Sequence, residues 1–265
     1  MLIKKSRLLS ILLLALMVIL AGCGSDSSSG KAEGSGNMVE KIKEKEILTV
    51  AMGGKYPPFN YINDKNELDG FDVDISKEIA KRLGVEFKPV TTEWDAIITG
   101  LLTKKYDIIL GSLSITDERK EKVDFVHYYT SGGAIIVPEN SKINKGKDLD
   151  GVTVGVGLGT TFEEKAIELG ADVKTYSAGA DAFTDMGNGR LEAVISDKLM
   201  SAYAIKTKGY PYKIADESLF VDEVGIAIRK DNPELTEEIQ KIIDEMKEDG
   251  TYTEISEKWF GIDIR

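Results

Sequence analysis

Between Ile47 and Phe260 short apolar runs alternate with segments of helical period, and the whole alternation occurs twice. That pattern points to parallel sheets covered by helices. In the first set, 47–52, 85–90 and 107–110 read as strands. Ile75, Ile79 and Leu83 form one helical stripe stopped by Gly84, and Trp94, Ile97, Ile98, Leu101 and Leu102 follow i, i+3, i+4, i+7, i+8. In the second set, strands at 152–156, 173–176 and 193–195 alternate with helices at 161–169, at 180–186 and after Asp197. Strands at 212–215 and 224–228 and helices at 233–248 and 251–260 follow. The two sets make two α/β lobes. The return strand and last helices belong with the first, so the chain is expected to cross between lobes twice, near 129–133 and 221–225. Ligands of such sheets sit beyond the carboxyl ends of the strands.

Gly111-Ser112-Leu113-Ser114-Ile115-Thr116-Asp117-Glu118-Arg119 occupies such an end, as a loop after Ile108-Ile109-Leu110. Thr116 and Asp117 suit a helix start, and Arg119 falls in the first turn, where a cation opposes the helix dipole. A guanidinium there is either a surface partner of Asp117 or Glu118, or a holder of a carboxylate through two parallel hydrogen bonds. Backbone amides and the Ser112 and Ser114 hydroxyls would complete the second arrangement. Gly155-Val156-Gly157-Leu158-Gly159-Thr160-Thr161 also follows a strand and opens a helix. Thr160 stands where a dinucleotide fingerprint needs its third glycine, and no P-loop lysine is present. Glycines and helix-start amides still suit an anion, a carboxylate included. Asp197 is an N-cap, an acceptor for an ammonium group, or both. Tyr56 and Trp94 are core or the walls of a pocket that sandwiches a side chain. Together these groups suit a small zwitterion, an α-amino acid. His127 is the single histidine and Cys23 the single cysteine, so no Ser-His-Asp triad, disulfide, metal site or cofactor is expected.

The N-terminus reads as a targeting segment. Lys4, Lys5 and Arg7 precede an apolar run too short to span a bilayer comfortably, as in a signal peptide. Leu20-Ala21-Gly22-Cys23 resembles the lipobox of bacterial lipoproteins. That resemblance implies cleavage before Cys23, a diacylglycerol thioether on it, and a lipid anchor on the extracytoplasmic side of the cell membrane. Residues 25–37, rich in Ser and Gly, read as a flexible tether. Removal of 1–22, which holds three cations and no acid, takes the formal charge from −11 to −14. So acidic a domain is a poor partner for nucleic acid. The expected organisation is a signal peptide over 1–22, lipidated cysteine and tether over 23–44, lobe 1 over 45–130, lobe 2 over 131–222, and lobe 1 again over 223–265.

Tyr56-Pro57-Pro58-Phe59, Gly70-Phe71-Asp72-Val73-Asp74, Ser114-Ile115-Thr116-Asp117-Glu118-Arg119, Asp124-Phe125, Gly159-Thr160-Thr161 and Lys258-Trp259-Phe260-Gly261 resemble the polar amino-acid-binding proteins of ABC importers, a type of extracellular solute-binding protein. The resemblance implies a two-lobed periplasmic-binding-protein-like fold of type II. Such a monomer closes on a free amino acid and docks on the membrane permease. It assigns Tyr56 and Trp94 to the ligand side chain, Gly111, Ser112, Ser114 and Arg119 to its backbone groups, a Thr161 amide to the carboxylate and Asp197 to the ammonium. Gly53 stands where many basic-amino-acid and glutamine binders carry Asp, Gly157 where glutamine binders carry lysine, and Ser196 where some carry histidine. A neutral polar ligand is therefore expected, in a pocket the glycines enlarge. Two alternatives remain: an enzyme on the same fold, like the family's periplasmic dehydratase, with Glu93 the nearest general acid; or a sensory receptor.

Overall fold

A computed structural model describes residues 37–265. The signal peptide, Cys23 and most of the tether lie outside the described residues. The described chain opens with helix α1 (Met38–Lys45), capped by the Asn37 side chain on the Val39 amide. The tether expected over 23–44 therefore stops short of its far end. Ile42 is fully buried and α1 packs on strand β1 and on the first of the two C-terminal helices, which explains why its apolar face escapes water.

The elements that follow are β1 (Ile47–Met52), β2 (Lys55–Tyr56), β3 (Asn60–Ile62), β4 (Leu68–Asp69), α2 (Phe71–Leu83), β5 (Glu86–Thr91), a 3-10 turn over Trp94–Ala96, α3 (Ile97–Leu102), β6 (Ile108–Ser114) and α4 (Asp117–Lys122). After β7 (Val123–Pro138) come β8 (Thr153–Gly157), α5 (Thr161–Glu168), β9 (Asp172–Tyr176), α6 (Gly179–Gly187), β10 (Ala193–Asp197) and α7 (Lys198–Lys208). Last are β11 (Tyr212–Arg229), α8 (Pro233–Glu248) and α9 (Thr251–Phe260).

Eight strands run in the order β5-β1-β6-β11-β7-β10-β8-β9. β5, β1 and β6 are mutually parallel, and so are β10, β8 and β9. These are the two lobes. The long antiparallel pair β7 and β11 joins them. Val123–Tyr129 of β7 runs beside Val224–Arg229 of β11, which also borders β6, whereas Gly133–Ile136 borders β10. Between those stretches Tyr129, Thr130, Ser131, Gly132 and Gly133 face Val224, Glu223, Asp222, Val221 and Phe220. The two crossings thus pair with each other as one ribbon. This corrects the reading of 212–215 and 224–228 as separate strands: the span between them, Asp216-Glu217-Ser218-Leu219-Phe220, is polar enough to look like a loop, but β7 continues the ladder through it with register shifts.

Core residues alternate faces as a doubly covered sheet requires. Leu48, Val50, Met52, Ile108 and Leu110 join a cluster with Ile75 and Ile79 of α2 and Ile239 and Ile243 of α8. Ala51 and Ile109 point the other way, to Ile97 and Leu101 of α3. In the second lobe Val154, Val156 and Ile195 pack on Phe162 and Ala166 of α5. None of the described helices is long and apolar enough to cross a membrane.

Candidate functional site

The carboxyl ends of β1, β6, β8 and β10 converge on one cavity between the lobes. Its walls include Tyr56, Trp94, Gly111, Ser112, Ser114 and Arg119 from one side and Thr160, Thr161, Ser177 and Ser196 from the other. The space between them, mouth included, is about 740 Å³, within the ordinary range for a small-molecule site, roughly 300–1,000 Å³. Seven of the eight ligand residues expected from sequence line it. Asp197 does not: it is buried one residue behind Ser196, with its Oδ1 accepting the Met200 amide of α7 at 2.8 Å. Its N-cap geometry holds the carboxylate against the helix start.

Gly111–Ser114 is strand, not loop. β6 runs on to Ser114 because β11 offers Val224 and Gly225 as partners to Ser114 and Leu113. Packing is tight at Gly111: a Cβ there would lie 3.1 Å from the Met52 Cα, so the two strands would have to ease apart slightly. Ser112 has a φ of +61°, rare for a side-chain-bearing residue, and its amide donates to the Tyr128 hydroxyl at 3.1 Å. Its own hydroxyl donates to Asp72 at 3.0 Å. Asp72 is fully buried and also accepts from Asn60 Nδ2 and the Tyr128 hydroxyl, each at 2.7 Å. Asn60 in turn accepts the Gly54 amide through Oδ1 at 2.8 Å. A buried polar network thus fixes the backbone on two sides of the cavity. Burial pushes the pKa of Asp72 up to about 6, against the pull of the Tyr128, Asn60 and Ser112 donors. The Ser112 hydroxyl directs its proton to Asp72, so on the cavity wall it offers only its acceptor side.

Arg119 sits as expected in the first turn of α4, whose start Thr116 caps by accepting the Arg119 amide at 3.2 Å. Its guanidinium turns inward rather than to Asp117 or Glu118. Nη1 donates to the Ser114 carbonyl at 2.9 Å and Nη2 to the Gly159 carbonyl of the other lobe at 3.3 Å. The side chain is 9% exposed, and among the described residues no carboxylate hydrogen-bonds to it. Burial holds its pKa below the ordinary guanidinium value, with Glu164, Asp222 and Glu118 countering at longer range.

Two further contacts cross the cleft. Trp94 Nε1 donates to the same Gly159 carbonyl at 3.3 Å, and the Ser114 and Thr161 hydroxyls lie 3.3 Å apart. The lobes are therefore closed. Thr161 opens α5, so its amide is one of the helix's orphan donors. The neighbouring Gly159 amide is taken by the chain's own Glu163 at 2.6 Å, so an external anion has fewer helix-start donors than the glycine run suggests. Gly155 serves packing, since a Cβ there would come within 2.5 Å of Leu191.

Asp222 is not legible in the sequence. It lies on the paired ribbon opposite Ser131, is 6% exposed, and accepts the Ser114 hydroxyl at 3.0 Å. Burial raises its pKa to about 6 despite the Ser114 donor and the Arg119 charge. Burial likewise raises Asp197 to about 6 against the Ser131 hydroxyl and the Met200 amide, and Asp222 adds to the rise. Burial first, then the Asp197 and Asp222 charges, drive the Tyr56 hydroxyl well above its usual range. The closed cleft therefore joins a cation without a bonded acid to two acids held uncomfortably out of water.

Two lobes on a paired crossing, shut over a polar cavity, define a protein that encloses a solute. Residues 48–262 match the profile of the bacterial extracellular solute-binding proteins, family 3, and the chain belongs to that family. It is 36% identical over 255 residues to the L-cystine-binding protein TcyJ of Escherichia coli strain K12, covering 94% of this chain and 96% of TcyJ. It is 36% identical over 230 residues to the L-arginine-binding protein of Pseudomonas aeruginosa, covering 82% and 89%. Among solved structures, the ancestral amino acid-binding protein AncCDT-1, a precursor of cyclohexadienyl dehydratase, superposes with a TM-score of 0.80 at 38% identity, over 84% of this chain and all of that one.

Proposed function

We propose that the chain binds a free α-amino acid without net charge on its side chain and delivers it to an ABC importer. The observation that carries this is Arg119, a buried guanidinium on the cavity wall with carbonyls but no carboxylate bonded to it. A ligand carboxylate would exchange the Gly159 carbonyl for a charge-assisted pair. Ligand ammonium would lie toward Asp197 and Asp222, whose raised pKa values mark charges that a cation relieves. Tyr56 and Trp94 would flank the side chain, and the Thr161 amide would add to the carboxylate.

The neutral side chain is inferred from the lining acids. Among the described residues Glu93 is the one acid on the wall, and Lys55 Nζ lies 3.2 Å from it. A ligand guanidinium or ammonium tail with no carboxylate beside it would have to share Glu93 with the Lys55 charge, which repels it. The cystine named for TcyJ carries no net charge, as this reading requires of a ligand. A dehydratase would need a general acid facing its substrate, and Glu93 is exposed and paired, so we assign no catalysis. On the cell we place the protein outside the membrane, held as a monomer by a lipid on Cys23.

Calorimetry against the common amino acids and L-cystine tests the assignment. Arg119→Ala is expected to weaken the bound ligand by about 3–5 kcal/mol, since the carboxylate would be buried unpaired. Affinity within about threefold of the unaltered chain refutes it.

A further inference from the structure

Lys55 and Glu93 form an ion pair at the mouth of the cavity. Lys55 Nζ is 3.2 Å from Oε1 and 3.5 Å from Oε2 of Glu93, and both residues line the same space as Arg119 and Trp94. Lys55 opens β2, and Glu93 immediately precedes Trp94. Both side chains are more than half exposed at the mouth. A pair so placed is weak, about 0–1 kcal/mol, and two other charges can insert between its members at little cost.

The wall around this pair is made of small residues. A Cβ on Gly179 would meet nothing within 4 Å, and one on Gly53 would meet only the Asn60 Oδ1, at 3.9 Å. Ser177 and Ala178 continue the same low wall. These residues and the Lys55–Glu93 pair line one continuous cavity with Arg119 and Trp94. A single small amino acid leaves part of it to water.

Resting on the amino-acid reading above, we propose that Lys55 and Glu93 are a second subsite that takes the far end of a ligand with two zwitterionic ends. Lys55 receives the distal carboxylate and Glu93 the distal ammonium. One cation then serves each carboxylate, Arg119 within and Lys55 at the mouth; Glu93 takes the distal ammonium, and Asp197 and Asp222 lie buried behind the wall toward the inner one. The spacer between the ends must be short and uncharged, because it packs on Trp94. A disulfide meets this requirement, since it sets its two Cα atoms about 5.5–6 Å apart.

Calorimetry with L-cystine and with S-methyl-L-cysteine, which keeps one end and the sulfur, reads the second subsite as a ratio of affinities. The unaltered chain is expected to bind L-cystine at least tenfold more tightly. In the Lys55→Gln/Glu93→Gln double variant that ratio is expected to fall about tenfold. A fall of less than threefold overturns the second subsite. Equal affinities in the unaltered chain overturn it as well, while leaving the single-ended amino-acid reading standing. Binding of neither ligand, nor of any other amino acid, fails both. S-methyl-L-cysteine binding by the double variant also reports that its cavity is still folded.

Discussion

Asp72→Asn separates the cost of a buried charge from the value of the network it organises. The carboxylate is fully buried, with three donors and no cation bonded to it. Burial raises its pKa from 3.8 to about 6. A carboxyl raised on folding contributes stability that is complete below the unfolded pKa and is lost as pH rises through the folded one. The loss over the whole window is about 3 kcal/mol, from a rise of roughly two pH units at 1.36 kcal/mol each. About 2 kcal/mol of it falls between pH 4.5 and pH 7.5. The substituted asparagine cannot ionise, so urea unfolding followed by tryptophan fluorescence should show the wild-type stability falling by that amount relative to the variant over this interval. Asp197 and Asp222 titrate in both proteins and cancel in the difference. Asparagine should still carry a pH-independent penalty of about 1–3 kcal/mol, because its NH2 group faces the Tyr128 hydroxyl and leaves one buried donor unmatched. Stability curves that stay parallel within about 0.5 kcal/mol across the interval would falsify the claim that Asp72 is strained by burial.

Three further outcomes can be checked directly. Gly70→Ala should cost about 3 kcal/mol or more in denaturant unfolding, because φ is +132° there and a Cβ would overlap the Phe59 carbonyl oxygen; a loss under about 1 kcal/mol would contradict the geometry. Phe59→Ala should destabilise by about 3–5 kcal/mol, since its ring is buried and stacks on Tyr129 at 5.0 Å while touching Phe71 and Phe260. Cys23→Ser should abolish incorporation of radiolabelled palmitate into the protein, and label retained by the variant would exclude the lipid anchor on that residue.

The sequence carries the architecture wherever a periodicity is long enough to read. Most strand and helix positions in both lobes and the Thr116 cap follow from local signals, the small strands β2, β3 and β4 excepted, and the seven wall residues from those signals together with the family motifs. What stays hidden depends on partners far along the chain. β6 runs through Ser114 only because β11 pairs with it, more than a hundred residues later. The middle of β11 is a strand because β7 lies beside it, and Asp222 reaches Ser114 by that route. Asp72 stands in a recognisable motif, yet nothing local says that its carboxylate points at Tyr128 and Ser112. Helix α1 escapes a reading of the sequence because eight residues of mixed charge and apolar side chains, after a Ser/Gly run, carry too little pattern to separate them from a tether.

The doubled crossing has a mechanical consequence. Two hydrogen-bonded strands form a twisted ribbon, which resists stretching along its length and flexes across its face. The lobes should therefore swing like the arms of a tweezer, along one path, with Asp222 and Ser131 near the fold of the metal. Fluorophores on the outer tips of the arms would report that swing as a single distance, and a ligand too long for the grip would be seen to stop it part-way.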